Sequence, residues 1–303
     1  MRNVISFLNM KGGVGKTTLC KEIGLYLSRN NKKVLLIDVD PQGNLTQSIF
    51  EKFKYRHEYE SETENNKKYR ICKATISNVF EYTSVVEGAK EADFILTLDE
   101  NLSIIPGDLN AVFFERSGGS SESENAIKNL IEDFNIKEKY DYILMDCPPT
   151  FSFYTTAALL ASDFYISPIH PDSYSVLGID LLFQVAERLR KVYRDRFKLL
   201  PLEHLGVIFT NIPRPRSIPT GMQNMMDDIR GSKVLRDLQV NFFNTIFHSN
   251  KEFSKKIDYF IADSNSELSY RNLRDIVTEF EKSIHLLRED QRMERGGEDG
   301  EES

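Results

Sequence analysis

Residues 9–24 read NMKGGVGKTTLCKEIG, and no other stretch of the chain predicts as much of its architecture. The apolar run VISFL, residues 4–8, precedes it, and apolar residues at helical spacing, Leu19, Ile23 and Leu27, follow. A strand, a glycine-rich turn and a helix in this order point successive backbone N–H groups at one spot, where the helix dipole adds positive potential. The stretch therefore predicts a phosphate-binding loop.

The loop matches the general pattern G-x-x-x-x-G-K-[ST] except at its first position, where Met10 stands in place of glycine. In that pattern Lys16 contacts the β- and γ-phosphates, and the hydroxyl of Thr17 binds Mg²⁺. A second lysine, Lys11, precedes the glycines and has no role in the general pattern. The predicted nucleotide-binding residues of the loop are Gly12, Gly13, Val14, Gly15, Lys16, Thr17 and Thr18.

The composition limits the class of protein. With 303 residues, 40% of them apolar, the chain is long enough to bury one large α/β domain or two ordinary ones. The cysteines Cys20, Cys72 and Cys147 lie far apart, so we expect neither a disulfide framework nor a zinc or iron–sulfur site. No run approaches the roughly 18 apolar residues that span a bilayer, and no secretory leader precedes the first strand. We therefore expect a cytoplasmic protein that does not bind a membrane.

The net charge of −7 means that the protein as a whole would repel nucleic acid. Much of this charge lies in residues 286–303, where seven acids outnumber three arginines. Setting that −4 aside leaves about −3 for the remainder, which is compatible with a local basic face.

Further apolar runs predict more strands. They are VLLIDVD (34–40), YDYILMDCP (140–148), DFYISPI (163–169) and LGVIFTNI (205–212), and helical patterns separate them, notably over residues 173–194. Unbroken apolar runs are typical of parallel strands that are covered on both faces. The pattern predicts an α/β fold, a P-loop NTPase with a mostly parallel twisted sheet flanked by helices on both faces.

We expect a single domain over residues 1–288, closed by a helix over 267–287. Residues 51–72 are charged and lack a strong period, which predicts a mobile insertion. Residues 116–124, RSGGSSESE, are typical of a flexible link. The acidic, glycine-containing tail, residues 289–303, is expected to be disordered.

Three acids end two of the predicted strands. Asp146 ends YILMD, where a carboxylate can hold Mg²⁺ through water. Asp38 and Asp40 end LLIDVD, and their spacing of two predicts side chains on the same face. One of these two could complete the metal shell while the other orients a water, and the sequence does not separate the roles. The predicted metal-binding residues are Thr17, Asp38 and Asp146.

The sequence resembles a known family at several places. KGGVGKTT (11–18), VLLIDVDPQGNLTQS (34–48) and YDYILMDCPPT (140–150) are similar to the deviant Walker A, A′ and Walker B boxes of the ParA/MinD group of P-loop ATPases. Residues 101–115 and 161–182 are similar to the segments that flank the Walker B box. The resemblance covers most of the chain up to about residue 285 and implies an ATPase that uses ATP and Mg²⁺.

In this family the lysine before the glycines is the signature residue. The resemblance implies that Lys11 reaches across a homodimer, with ATP sandwiched at the interface, to the phosphates of the partner subunit, while Lys16 serves its own nucleotide. It also implies that Asp40 positions the attacking water, and that Asp38 supports Mg²⁺ or shares that task. Asn211 and Pro213, in FTNIPRP, resemble the family's adenine-binding positions.

Other branches of the group have features that this sequence lacks. Membrane-bound members end in a basic amphipathic helix, whereas residues 288–303 are acidic. Iron–sulfur scaffold members need paired thiolates, and duplicated anion-pump members carry two phosphate loops. The sequence is therefore most similar to the short, Soj-like ParA-type ATPases of DNA partition.

That branch implies non-specific DNA binding by the ATP-bound dimer, release through hydrolysis stimulated by a ParB-like partner, and a cytoplasmic, nucleoid-associated protein. DNA phosphates require lysines and arginines, and the C-terminal third supplies candidates. They are Arg214, Arg216, Arg230, Lys233, Arg236, Lys251, Lys255, Lys256, Arg271 and Arg274. Two alternatives stay open: a cargo-positioning or regulatory ATPase that acts on protein assemblies without DNA, and an enzyme that transfers phosphate to a small molecule.

Overall fold

The computed structural model describes residues 2–60, 68–82, 88–109, 111 and 121–298. The strands in these ranges are β1 (Val4–Phe7), β2 (Val34–Asp38), β3 (Tyr55–His57), β4 (Arg70–Cys72), β5 (Leu96–Thr97), β6 (Leu102–Ile105), β7 (Tyr142–Asp146), β8 (Phe164–Ile169) and β9 (Glu203–Phe209).

Helices separate most of these strands. They are α1 (Lys16–Arg29), α2 (Asn44–Phe53), α3 (Ile76–Glu81), α4 (Ser121–Asp133), α5 (Ile136–Lys139), α6 (Phe153–Ala161), α7 (Ser175–Val192), α8 (Arg194–Leu199), α9 (Thr220–Gly231), α10 (Lys233–Asp237) and α11 (Glu267–Glu298).

Seven strands form one twisted sheet in the order β5-β6-β2-β7-β1-β8-β9. All neighbours pair in parallel except β5, which lies antiparallel at one edge. Alternate strand residues enter different cores: Leu36 of β2 packs on the side of α1 and α11, and Leu35 packs on the side of α4 and α6. Helices therefore cover both faces, which confirms the predicted fold class.

The parallel pairing brings the carboxyl ends of the central strands to one edge of the sheet. Asp38 at the end of β2 lies opposite Asp146 at the end of β7, and Phe7 of β1 lies opposite Asp146 on its other side. The loop that follows β1 therefore starts beside both acids. This edge is where open parallel sheets place their ligands.

The prediction of a mobile insertion over residues 51–72 is wrong for its described part. That part contains the end of α2 and the parallel pair β3 and β4. The Glu51 carboxylate accepts hydrogen bonds from Lys54, Arg56 and Tyr69. The Arg56 guanidinium also lies 3.8 Å from the ring centre of Tyr69. Charges paired in this way order a segment that has no apolar period, and residues 61–67 lie outside the described ranges.

Two other predicted boundaries also need correction. Helix α4 begins at Ser121, so residues 121–124 of the predicted link are helical, and 116–120 lie outside the described ranges. Helix α11 continues to Glu298, well past residue 287, through glutamates, arginines and a glutamine that favour helix. The tail is therefore helical as far as Glu298, and residues 299–303 are not described.

None of the helices in the described ranges has the length and apolarity needed to cross a bilayer.

Candidate nucleotide-binding site

The glycine-rich loop between β1 and α1 is held by the end of β9. Gly13 and Gly15 adopt positive φ angles of 73° and 84°, which side chains other than glycine rarely tolerate. The Thr210 hydroxyl donates to the Val14 carbonyl, and Asn211 Nδ2 donates to the Gly13 carbonyl at 3.1 Å. The loop thus has a fixed curl before helix α1 begins.

Lys16 lies inside this curl. It is buried, and its Nζ donates to the Lys11 carbonyl at 3.0 Å. Burial lowers the pKa of Lys16, although the nearby carboxylates of Asp146 and Asp40 act in the opposite direction. The structure therefore places this cation inside the loop that the sequence predicts to bind phosphates, with the carboxylates of Asp146 and Asp40 nearby, and the phosphate contact stays a prediction.

Asp146 is fully buried, and neither of its carboxylate oxygens accepts a hydrogen bond of ordinary geometry. Burial raises its pKa, and the Asp38 carboxylate raises it further. The Thr17 hydroxyl is close enough to lower the pKa of Asp146. A buried carboxylate that accepts no well-formed hydrogen bond is costly, and a hard cation with its water shell would satisfy it.

Thr17 and Asp146 therefore fit a magnesium site. Throughout the described ranges, no three His, Cys, Asp or Glu side chains converge to hold a metal by themselves. Mg²⁺ in this site would take its remaining ligands from phosphate and water, as it commonly does in nucleotide-binding proteins.

Asp38 secures the start of helix α2. Its Oδ2 accepts hydrogen bonds from the Thr46 amide at 2.8 Å and the Thr46 hydroxyl at 2.7 Å, and the Gly107 amide donates to the same hydroxyl. Burial raises the pKa of Asp38, and the Asp40 carboxylate adds to this effect. Its Oδ1 is buried without a partner. Asp38 thus has a clear positioning contact, while its role toward metal stays a prediction.

Asp40 differs from Asp38 in its surroundings. It lies in the A′ loop (residues 39–43), and its Oδ1 accepts a hydrogen bond from the Gln42 amide at 3.0 Å. Asp40 lines a cavity above the glycine-rich loop, whereas Asp38 and Asp146 lie beneath that cavity's surface. Of the three acids, Asp40 is the one that lines this cavity, and its role toward a water stays a prediction.

This cavity has a volume of about 370 Å³, within the range of small-molecule sites. It brings together most of the predicted loop residues, Asp40 and Asn211. Its lining residues are Gly12, Gly13, Gly15, Lys16, Thr17, Thr18, Lys21, Asp40, Gln42, Asn44, Ser48, Pro149, Asn211, Phe253 and Ile257.

Sequence reasoning missed one wall of this cavity. Lys21 Nζ donates to Ser48 Oγ at 2.9 Å and to the Tyr259 carbonyl, and it lies 4.4 Å from the ring centre of Phe260. Phe253 lines the same wall. The only signal in the sequence was a lysine within the apolar face of α1, and nothing indicated that residues 253–260 would meet it.

Of the two residues predicted to contact adenine, one lines the cavity and the other does not. Asn211 lines the cavity, but its amide is engaged with the Gly13 carbonyl. Pro213 is absent from the described lining, and its carbonyl accepts a hydrogen bond from His248 at 3.0 Å. Both adenine assignments stay predictions.

Lys11 points away from the buried lysine of its own loop. Its side chain is 48% exposed, and its ammonium forms an ion pair with the Asp172 carboxylate before helix α7. Asp172 also accepts a hydrogen bond from the Tyr174 amide at 2.9 Å. Burial tends to raise the pKa of Asp172, but the contacts with Lys11 and Tyr174 prevail and lower it.

The ten basic residues predicted to bind DNA lie on exposed or half-exposed surface. Arg214 and Arg271 line one cavity of about 250 Å³ together with His248. Four of the ten are ion-paired with neighbouring acids. These four are Arg230, Lys255, Arg271 and Arg274.

Fold and site together define a P-loop nucleotide-binding protein. Residues 2–199 match the family model described as an AAA domain. The chain belongs to the ParA/MinD family of P-loop ATPases.

Two curated relatives support this assignment. The sporulation initiation inhibitor protein Soj of Bacillus subtilis is 33% identical over 193 residues, which cover 63% of this chain and 67% of that protein. The chromosome-partitioning ATPase Soj of Treponema pallidum is 27% identical over 288 residues, covering 91% of this chain and 98% of that protein.

Two solved structures share the fold. A plasmid partition protein of Borrelia burgdorferi bound to AMPPNP has a TM-score of 0.66 at 22% identity, covering 93% of this chain and 98% of that one. Apo McdA of Cyanothece has a TM-score of 0.71 at 20% identity, covering 94% of this chain and 100% of that one.

Proposed function

We propose that the chain is an ATP-dependent dimerising ATPase of the DNA-partition type, which hydrolyses ATP to ADP and phosphate. The observation that carries the proposal is the different placement of two lysines in one loop. Lys16 is buried inside the loop, whereas Lys11 is half-exposed and held by an ion pair with Asp172. An exposed ion pair is cheap to break, so Lys11 is available to the phosphates of a second copy.

The residues of the site then divide the reaction between them. The loop amides and Lys16 bind the phosphates of the chain's own ATP. Mg²⁺ held by Thr17 and Asp146 would neutralise charge on the β- and γ-phosphates. Asp40 orients the attacking water at the rim. Lys11 of the second copy approaches the transferring phosphoryl group, and a cation supplied in trans accelerates related reactions by roughly 10³ to 10⁵.

DNA binding depends on pairing the basic surfaces of two copies. Six of the ten candidate basic residues form no ion pair with an acid in the described part of the chain. These six are Arg214, Arg216, Lys233, Arg236, Lys251 and Lys256. In the proposed cycle ATP assembles the dimer on non-specific DNA, and a ParB-like partner accelerates hydrolysis and thereby release.

Retention on non-specific DNA tests this function. Binding is measured with ATP, with ADP and without nucleotide, at several salt concentrations. We expect binding only with ATP, weakening steeply with salt because neutralised phosphates release counterions. The double variant Arg214→Ala, Arg216→Ala should reduce the slope of log affinity against log salt by about 0.9 for each lost contact in each subunit. Lys32→Ala removes an exposed lysine before β2, at the opposite edge of the sheet, and serves as the matched control.

The main alternative is a cargo-positioning or regulatory switch that uses the same dimer cycle without DNA. The observation that favours it is the pairing of Arg230, Lys255, Arg271 and Arg274 with acids of the same chain. Absence of DNA retention in all three nucleotide states, with ATP-dependent dimerisation intact, would select this alternative.

A further inference from the structure

The wall of the nucleotide cavity that sequence reasoning missed contains a further lysine. Lys21 lies on α1 three residues after Thr18, so the two side chains share one face of the helix, and both line the cavity. Only 6% of Lys21 is exposed. The general phosphate-loop pattern ends at Thr17 and gives no role to this lysine.

The contacts of Lys21 hold its ammonium group in one place. Its Nζ donates to Ser48 Oγ of α2 at 2.9 Å and to the Tyr259 carbonyl at 3.1 Å, and it lies 4.4 Å from the ring centre of Phe260. Ser48 Oγ in turn donates to the Ile257 carbonyl at 2.6 Å. These are the two acceptors of the ammonium among the residues that the structure describes, and an ammonium has three donors. One N–H of Lys21 is therefore left for a further acceptor.

The charge of Lys21 has no close counter-ion. No carboxylate in the described part of the chain forms an ion pair with it. Burial lowers the pKa of Lys21, although the Glu22 carboxyl acts in the opposite direction. Burial also raises the pKa of Glu22 to about 8, so at neutral pH this neighbour is mostly protonated and offers little negative charge. A buried ammonium without an anionic partner is costly, and a phosphate would offset that cost.

The neighbours of Lys21 in the lining indicate which phosphate it would meet. The glycine-rich loop with Lys16 and Asp40 forms the polar part of the lining, where the β- and γ-phosphates are expected. Phe253 belongs to an apolar part, and its ring centre lies 5.4 Å from the Lys21 ammonium. Apolar and aromatic walls suit a nucleoside rather than phosphates. Lys21 adjoins both parts, and in a nucleotide the α-phosphate joins the phosphate chain to the nucleoside.

We propose that Lys21 is a further phosphate-binding residue, which donates to the α-phosphate of the bound nucleotide while Lys16 contacts the β- and γ-phosphates. This assignment rests on the proposed ATPase function, because it concerns the same cavity. The hydrogen bonds to Ser48 and Tyr259 hold the ammonium in place before the nucleotide arrives, so binding requires little further ordering of the side chain.

Nucleotide affinities of the full chain test the assignment with two variants. Lys21→Gln removes the charge but keeps N–H donors for Ser48 and the Tyr259 carbonyl, whereas Lys21→Met removes both. Calorimetry gives the Kd of ATP, ADP and AMP, and ligand-observed NMR gives that of adenosine. We expect both variants to weaken ATP, ADP and AMP by a common factor of about 10- to 100-fold, the range of a hydrogen bond to a charged group. Adenosine, which has no phosphate, should bind all chains alike.

Lys52→Gln is the matched control. The Lys52 ammonium also lies over the ring of Phe260, at 4.8 Å, but it pairs with Asp263 and does not line the nucleotide cavity. Its loss should leave all four affinities unchanged. Thermal unfolding checks that each variant is folded, and the Lys21→Gln series alone decides the question if Lys21→Met does not fold.

A lysine with a purely structural role predicts a different pattern. Lys21→Gln would then bind like the wild type, and Lys21→Met would weaken adenosine as much as ADP. That pattern, normal AMP affinity in Lys21→Gln, or an equal loss in Lys52→Gln would overturn the assignment and leave the ATPase proposal untouched. A wild-type chain that binds none of the three nucleotides would overturn both.

Discussion

The ion pair between Lys11 and Asp172 allows a quantitative test of the trans-acting lysine. If Lys11 must leave Asp172 to reach a second copy, then Asp172→Asn should favour the ATP-bound dimer. Asparagine keeps an oxygen that can accept a hydrogen bond from the Tyr174 amide, so the start of helix α7 is preserved. The substitution therefore removes the carboxylate charge and little else.

The magnitude follows from the exposure of the pair. The Lys11 and Asp172 side chains are 48% and 24% exposed, and an exposed ion pair contributes about 0.2–1 kcal/mol. A symmetric dimer contains two such pairs, so releasing both is worth about 0.4–2 kcal/mol. The dimer dissociation constant should fall by about 2- to 30-fold.

Dimerisation is measured with a non-hydrolysable ATP analogue, so that hydrolysis does not affect the result. Light scattering over a protein concentration series gives the dissociation constant. The effect should disappear in the Lys11→Ala background, and Asp195→Asn, an exposed charge change on α8, should have no effect. Unchanged or weaker dimerisation of the Asp172→Asn chain would contradict the proposal that Lys11 leaves Asp172 when the dimer forms.

Three further outcomes are expected. Asp40→Ala should accumulate ATP-bound dimer and lose hydrolysis, as size-exclusion chromatography with phosphate release can check; normal hydrolysis would reassign the water. Glu22 is buried, and burial raises its pKa to about 8. Between about pH 5 and pH 8 the folded state therefore holds a proton that the unfolded state has lost. The free energy of unfolding should fall as pH rises through this range, by up to about 1.4 kcal/mol per pH unit. Urea titrations across that range should show a flatter profile for Glu22→Gln, and an identical profile would contradict the assignment. Gly24→Ala places a methyl group 2.6 Å from Leu36 Cδ2 and should cost about 1–3 kcal/mol in thermal unfolding, whereas Gly221→Ala meets open space and should not destabilise; equal effects would remove the packing argument.

The central site was predictable because each of its parts is a short motif at the carboxyl end of a predicted strand. The glycine-rich loop carries its own signal, and a parallel sheet necessarily brings the ends of β2 and β7 beside that loop. The convergence of Asp38, Asp40 and Asp146 can therefore be predicted without using the rest of the sequence. The structure confirms this sheet and its connections.

Contacts between distant segments were not predictable. Phe253 and Lys21 meet because the chain returns across α1 after β9, and no local pattern specifies that return. The pairing of Lys11 with Asp172 depends in the same way on how the loop after β8 is placed.

The described part of residues 51–72 was misjudged for a different reason. Sequence periodicity detects apolar faces, whereas β3 and β4 are ordered largely by charge pairs around Glu51 and by guanidinium groups on aromatic rings.

Complementation between two inactive chains tests most directly whether Lys11 acts in the site of the partner subunit. A Lys16→Ala chain lacks its own phosphate-binding lysine but can still offer Lys11 to a partner. A Lys11→Ala chain binds ATP but offers its partner nothing. We expect each chain alone to hydrolyse little ATP, and an equimolar mixture to regain turnover, because one site of each mixed dimer is complete. Turnover by Lys11→Ala alone at the wild-type rate, or a mixture no more active than the sum of its parts, would contradict the trans-acting lysine.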